Sequence, residues 1–308
     1  MKVAVIGVGH LGRHHARILA EMPEVELAAV VDSNRERAAQ IAGERGAKPY
    51  GDWRDVVGVV DAVTVAVPTE RHLEIAGAFL EHGIHVLVEK PMTATTADAD
   101  RMLQLARDRG VVLAIGHTER FNPAVERVAP LITDPRFIEV HRLGTFPERS
   151  LDIDVVFDLM IHDLDLVLDI VGDEVASIEA VGVPVLTPRV DIANVRLRFS
   201  RGCIANLTAS RISRERVRKI RFFQRDAYVS IDYASQEAEV WRLVPRAGET
   251  PAIEGGKLEI AREEPLKREL ADFVGAIREG RQPAVTGEQG RAALALAERV
   301  VEAMEMAR

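Results

Sequence analysis

The chain has 308 residues, of which 47% are hydrophobic and 29% charged, with a net charge of -8 and a single cysteine, Cys203. That length fits two domains of ordinary size, and the composition excludes a disordered tail or a fibrous repeat, while one cysteine excludes an intrachain disulfide framework and offers no paired-cysteine zinc site. Lys and Arg are dispersed among a surplus of acids, which argues against a nucleic-acid partner, and the opening MKVAVIGVGH has an apolar run too short to span a bilayer and no cleavage site, so a soluble cytoplasmic protein is expected.

Val3 to Ile6 is a continuous apolar run closed by glycine, and Val25 to Val31 is a second; the helical pattern through His15, Leu19 and Met22 lies between them. The alternation continues with a helix over Arg35 to Ala42, a buried strand over Val59 to Val67, a helix over His72 to His82, a strand over His85 to Glu89, a helix over Asp98 to Arg109 and a short strand over Val111 to Ile115. Such alternation predicts a parallel sheet with helices on both faces. From Pro123 the order changes. Helical patterns at 123–132 and 156–171 are accompanied by alternating strands such as Phe137 to Phe146, Val190 to Phe199, Cys203 to Ser210 and Val217 to Phe223, which predict an antiparallel sheet. Helices over Leu266 to Glu279 and Glu288 to Met306 close the chain. The expected fold class is α/β: an N-terminal Rossmann dinucleotide-binding domain over residues 1–119 and a C-terminal α+β domain with a large, mainly antiparallel open sheet over 120–308.

Gly7, Gly9 and Gly12 form G-x-G-x-x-G directly after a strand and at the opening of a helix, and Asp32 follows the next strand. The first glycine permits the tight turn, the second clears the approach of a pyrophosphate to the backbone, and the third lets helix and strand pack closely, with the helix N-terminus facing the phosphates. The turn residues His10 and Leu11 go with the glycines to the cofactor. Asp32 can accept both ribose hydroxyls and repels a 2'-phosphate, which favours NAD over NADP, although Arg35 lies close in sequence. Glu89-Lys90-Pro91 ends a parallel strand, where open α/β sheets place their ligand crevice, and Pro91 restricts Lys90 to an extended conformation and can hold the bond cis. Val67-Pro68-Thr69 with His72 forms a second candidate edge of that crevice, or simply the start and cap of a helix. Pro68, Thr69, His72, Glu89 and Lys90 are accordingly the remaining candidate cofactor contacts.

GVGHLGRHH at 7–15, EKP at 89–91 and D-x-x-x-H at 158–162, in this order, resemble the Gfo/Idh/MocA oxidoreductases over essentially the whole chain. The resemblance implies an N-terminal Rossmann domain, a C-terminal domain whose open sheet supports a homodimer or homotetramer, oxidation or reduction of a sugar or cyclitol carbon, and Lys90 and His162 as the active-site pair. Asp158 and His162 stand at i and i+4, which on an α-helix is one face. In that reading His162 takes the proton of a substrate hydroxyl as hydride leaves the carbon, Lys90 stabilises the developing oxyanion, and Asp158 orients the imidazole or binds a neighbouring hydroxyl. An ordinary helix-face ion pair is the plainer alternative. No further cluster completes a metal shell around Asp158, His162 and Asp165, so no metal is expected.

Many relatives carry Gly-Gly shortly before this aspartate, where this chain has Asp154-Val155-Val156-Phe157. DIDVVFDLMIHDLDL with GHTERFNP at 116–123 is most similar to the branch acting on UDP-N-acetylglucosamine, with oxidation at the sugar 3-hydroxyl; another sugar or cyclitol dehydrogenase and an NAD-dependent glycosidase are the alternatives. In that reading Arg120 and Asn122 would serve the nucleotide-sugar, by forked donors to a diphosphate and by an amide to hydroxyls; otherwise Arg120 makes a salt bridge across the domain junction and Asn122-Pro123 starts the next helix. A structural role is favoured for His14 and His15, the run Arg211, Arg214, Arg216 and Arg218 reads as a solvated face, and Trp53 and Trp241 read as packing residues.

Overall fold

The computed structural model describes residues 1–146, 153–246 and 250–306. They divide into two compact units, Met1–Thr118 with Leu266–Leu294 and Glu119–Pro265 with Ala295 onward.

The first unit begins with β1 (Lys2–Ile6), α1 (Gly12–Glu21), β2 (Glu26–Val31), α2 (Arg35–Arg45) and β3 (Lys48–Tyr50), and continues with β4 (Ala62–Val65), α3 (His72–Glu81), β5 (His85–Glu89), α4 (Thr96–Arg109) and β6 (Leu113–Gly116). The six strands pair in parallel in the order β3-β2-β1-β4-β5-β6. The order reverses at β1 and β4, and the crevice beyond the carboxyl ends of those two strands is where such sheets take a ligand. Strands β4 and β6 are buried at every residue, as a sheet covered on both faces requires. Side chains start the helices: Asn34 accepts from the Arg37 N–H, and Thr95 from the Asp98 N–H. The three-residue edge strand β3 contains Pro49 and no apolar alternation, so no periodic signal marks it.

The domain division differs from expectation. Leu266–Leu294, assigned by sequence to the second domain, belongs to the first unit. Leu270, Phe273 and Val274 of α7 (Pro265–Glu279) join Val3, Val5, Ile18 and Leu19 in one buried apolar cluster, and Thr286 pairs with Ala114 of β6. Amphipathic spacing shows that α7 has an apolar face but not which core receives it. Helix α8 (Gly287–Met306) contributes its residues through Leu294 to the first unit and the rest to the second.

The second unit carries α5 (Pro123–Val128), β7 (Phe137–Leu143), a π-helical turn over Val156–Met160 running into α6 (Ile161–Val171), and then β8 (Val175–Val183), β9 (Ile192–Phe199), β10 (Ile204–Ser210), β11 (Val217–Phe223), β12 (Ala227–Asp232), β13 (Glu237–Val244) and β14 (Ala252–Lys257). These form one eight-stranded sheet, β14-β13-β12-β11-β7-β10-β9-β8. Every neighbouring pair is antiparallel except β7 with β10, which is parallel because a helix-containing stretch of chain intervenes between them. In β9, Ala193, Val195, Leu197 and Phe199 are buried alternately, so one face of the strand meets the core. Trp241 on β13 is 41% exposed and is not the packing residue expected. Among the described residues no helix is long and apolar enough to cross a membrane.

Candidate active site

In the first unit the glycine turn is built from backbone. Gly7 has φ +84°, and its N–H donates to the Val31 carbonyl across β2. A Cβ on Gly7 would lie 2.7 Å from the Ala66 carbonyl oxygen, and one on Gly12 only 1.8 Å from that of Gly7, so neither position tolerates a side chain. A Cβ on Gly9 would meet nothing within 4 Å, which leaves the open approach that a pyrophosphate needs. His10 and Leu11 are exposed beside it, with the His10 ring edge-on to His14 at 6.2 Å. The turn opens on a cleft of about 490 Å³ whose lining includes Gly7, Gly9, Asp32, Arg37, Trp53 and Pro68. These features fit a dinucleotide.

Asp32 is the polar anchor of that cleft. Its Oδ2 accepts from the Val8 N–H at 2.9 Å and its Oδ1 from the Asn34 N–H at 2.9 Å. Arg37 grips both oxygens, Nε to Oδ2 at 3.0 Å and Nη2 to Oδ1 at 2.8 Å. Burial opposes the charge of Asp32, but the Arg37 and backbone hydrogen bonds outweigh it and hold the carboxyl below its usual range. The arginine beside Asp32 is thus Arg37; Arg35 instead lies near Gly51. Trp53 packs on Phe79 at 5.8 Å and also faces the cleft.

The other cofactor candidates divide. The Lys90-Pro91 bond is cis, and Lys90 is half-buried directly beyond β5. Thr69 begins a short 3-10 turn after Pro68. His72 is fully buried, with Nε2 2.9 Å from the Val67 carbonyl oxygen and Nδ1 3.0 Å from that of Pro91. Burial lowers its pKa. His72 therefore ties the chain beyond β4 to the chain beyond β5 and is corrected from cofactor contact to positioning residue.

Glu89 is corrected in the same way. It does not line the cleft: it is 6% exposed, with Oε1 3.0 Å from His15 Nε2. Glu269 of α7 joins them, and ligating atoms of His15, Glu89 and Glu269 all lie within 4.8 Å of one another. Two carboxylates this close and this buried do not both stay charged. Burial and the neighbouring Glu89 charge push Glu269 well up, while the hydrogen bond from His15 overcomes burial at Glu89 and holds it down, so Glu89 is the charged member. A structural role for His15 is legible in the sequence, but nothing there links residues 15, 89 and 269.

In the second unit Asp158 and His162 are half-buried. The uninterrupted helix expected over 156–171 is instead the π-helical turn containing Asp158 followed by α6, whose second residue is His162. The α-helical i,i+4 argument therefore does not hold across this pair, since a π turn is wider. Such turns recur at functional sites. Asp152, the first residue of the quoted DIDVVFDLMIHDLDL, lies outside the described residues.

Around this helix the charged side chains are committed to one another. Arg120 is almost buried and reaches Asp169 at 2.6 Å and Asp165 at 3.9 Å. Asn122 is 2% exposed: its Oδ1 caps α5 by accepting from the Ala124 N–H, and its Nδ2 donates to the Tyr233 carbonyl. Asn122 thus starts the helix as its plainer reading expects, while the partners of Arg120 lie within its own unit and not across the domain junction. Arg142 of β7 forks onto Asp163 at 2.6 and 2.9 Å and reaches Glu119 at 3.0 Å. Arg211, expected on a solvated face, is 1% exposed, bonded to Asp191 at 2.8 Å and donating to the Ile153 carbonyl ahead of the π turn. Asp191 also accepts from the backbone N–H groups of Val185, Leu186 and Thr187.

Residues 1–117 match the model of an oxidoreductase family with an NAD-binding Rossmann fold, Gfo/Idh/MocA, and residues 134–229 match the Gfo/Idh/MocA C-terminal domain. A UDP-N-acetylglucosamine 3-dehydrogenase from Acidithiobacillus ferrooxidans is 40% identical, covering 99% of this chain and 97% of its own. The chain belongs to the Gfo/Idh/MocA oxidoreductase family. A solved structure of the Acidithiobacillus ferrooxidans enzyme superposes with a TM-score of 0.93 at 39% identity, covering 99% of this chain and 98% of that one. A myo-inositol 2-dehydrogenase from Thermotoga maritima is 28% identical, covering 96% and 94% of the two chains. As a member of this family the chain is a dehydrogenase, and its cofactor is NAD.

Proposed function

We propose that the chain oxidises the 3-hydroxyl of UDP-N-acetylglucosamine to a ketone. The observation that carries the substrate is the 40% identity, over nearly the whole of both chains, to an enzyme of that name. Gly7, Gly9 and Asp32 hold the cofactor in this reading, and NAD when bound accepts the hydride. The carbinol C–H bond breaks with its electron pair leaving carbon, the O–H bond breaks with its proton passing to His162, and the C=O bond forms. Lys90 opposes the charge that grows on the oxygen. An imidazole suits His162 to accepting that proton, and Asp158 orients it or binds the adjacent hydroxyl. Arg120 and Asn122 have no part, because their polar groups already serve Asp169, α5 and Tyr233. The reading includes a cytoplasmic location and a homodimeric or homotetrameric assembly.

The test offers purified protein NAD with UDP-N-acetylglucosamine, UDP-glucose, free N-acetylglucosamine and myo-inositol, following nicotinamide reduction and product mass. UDP-N-acetylglucosamine should reduce the cofactor fastest and give a product two hydrogens lighter. Reduction by myo-inositol or a free sugar and by no UDP-sugar would overturn the substrate, and loss of UDP without net cofactor reduction would point to glycoside cleavage instead.

A further inference from the structure

A nucleotide-sugar is anionic at its diphosphate, and a protein with a net charge of -8 must meet that group with a local cation. The arginines around the π turn and α6 are mostly committed already: Arg142 to Asp163 and Glu119, Arg120 to Asp169, Arg211 to Asp191, and Arg216 to the Thr145 hydroxyl. Arg218 of β11 differs. It is exposed, and among the described residues its guanidinium has no hydrogen-bond or ion-pair partner.

Its place in the sheet decides what it can meet. Arg218 stands opposite Arg142 in the register of β11 with β7 and alternates with the fully buried Ile220 and Phe222, so it lies on the sheet face from which Arg142 reaches Asp163 of α6. Asp163 directly follows His162. Arg218 also lies at the end of the sheet where the π turn begins: β7 runs out at Leu143, opposite Val217 and Ser210, and Arg211, next after Ser210, donates to the Ile153 carbonyl ahead of that turn. Although open to solvent, Arg218 has a lowered pKa, through burial first and the Arg142 charge next, with Glu119 and Asp163 pulling the other way without prevailing. An accessible cation that is partly desolvated and set beside a like charge is stabilised by an incoming anion. We propose that Arg218 receives the diphosphate of the nucleotide-sugar, with its guanidinium fork on the phosphate oxygens. This role rests on the nucleotide-sugar reading of the substrate and adds the side chain that recognises it.

The experiment measures KM for UDP-N-acetylglucosamine, kcat and the NAD Kd in wild-type protein, Arg218→Ala, Arg218→Lys and Arg214→Ala, the last removing the same charge from an exposed residue in the loop before β11. Arg218→Ala should raise KM about thirtyfold, because a charge-assisted contact is lost, and lower kcat by no more than about threefold. Its NAD Kd should match wild type, although NAD also carries a diphosphate. Arg218→Lys keeps the charge without the fork and should raise KM about fivefold, while Arg214→Ala should leave KM unmoved. A KM in Arg218→Ala within about twofold of wild type, an equal rise in Arg214→Ala, or a matching loss of NAD affinity overturns the role of Arg218 and leaves the substrate standing. Wild-type protein that oxidises myo-inositol or a free sugar and no UDP-sugar overturns the substrate reading, and the role of Arg218 with it.

Discussion

The glycine turn of the first unit and the π turn of the second are built on opposite principles. At Gly7 to Gly12 the functional surface is backbone: glycines are required because carbonyl oxygens stand 2.7 and 1.8 Å from where their Cβ atoms would be. At Val156 to Met160, and at His162 just beyond, the candidate groups are side chains, and around them run ionic contacts, Arg142 with Asp163, Arg120 with Asp169, and Arg211 with Asp191. A site made of backbone constrains residue type at fixed spacing and is written openly in the sequence. A site held by paired side chains distributes its constraints over residues far apart in the chain, and those pairings appear only in three dimensions.

The comparison breaks first at the chemistry. If Lys90 and His162 act on substrate charge and proton movement while the turn alone holds the cofactor, Lys90→Ala and His162→Ala should each lower kcat by about a thousandfold and leave the NAD Kd within a few-fold. Weakened NAD binding of the same size in either variant would mean that the residue belongs with the turn. Next in size is Arg142→Met, which leaves Asp163 buried without its ion-pair partner; thermal or denaturant unfolding should show about 3 kcal/mol of lost stability. An unchanged midpoint would show that the framework under the π turn is dispensable.

The turn is sharpened by Gly12→Ala. Its methyl cannot fit against the Gly7 carbonyl, so the backbone must shift, and NAD affinity should fall by about thirtyfold with about 2 kcal/mol of stability. Full NAD affinity in this variant would show that the third glycine is not the close-packing point. The smallest effect is expected at Asp191, whose buried carboxylate is held far below its ordinary range by Arg211, Thr187 and backbone donors against the cost of burial. A depressed native pKa adds stability above the unfolded value that is lost as pH falls below about 4. Asp191→Asn should therefore cost about 1 kcal/mol near neutrality and flatten the acid side of the stability profile; a profile as steep as wild type would assign the acid sensitivity elsewhere.

What could be read from sequence follows the same division. Gly7, Gly9, Gly12 and Asp32 were legible because strand, turn, helix and strand surround them in one continuous stretch. Lys90 and its cis bond to Pro91 were legible from a strand end followed by proline. Strand β3 was hidden by Pro49 and its short length, and α7 was legible as a helix but not as part of the first unit's core. Arg120, Asn122, Glu89 and His72 are residue types that bind ligands, but burial commits each to a structural partner that spacing cannot show. Arg37 was hidden for the converse reason: an exposed arginine in a helix's first turn looks like solvated surface until Asp32 is seen in its grip.

Hydride removal from the sugar C3 of UDP-N-acetylglucosamine can be followed with substrate carrying deuterium at that carbon. The deuterium should appear in the reduced nicotinamide, in equal amount with a 3-keto product, and His162→Ala should give neither. Reduced nicotinamide without deuterium, alongside turnover of the labelled substrate, would contradict it.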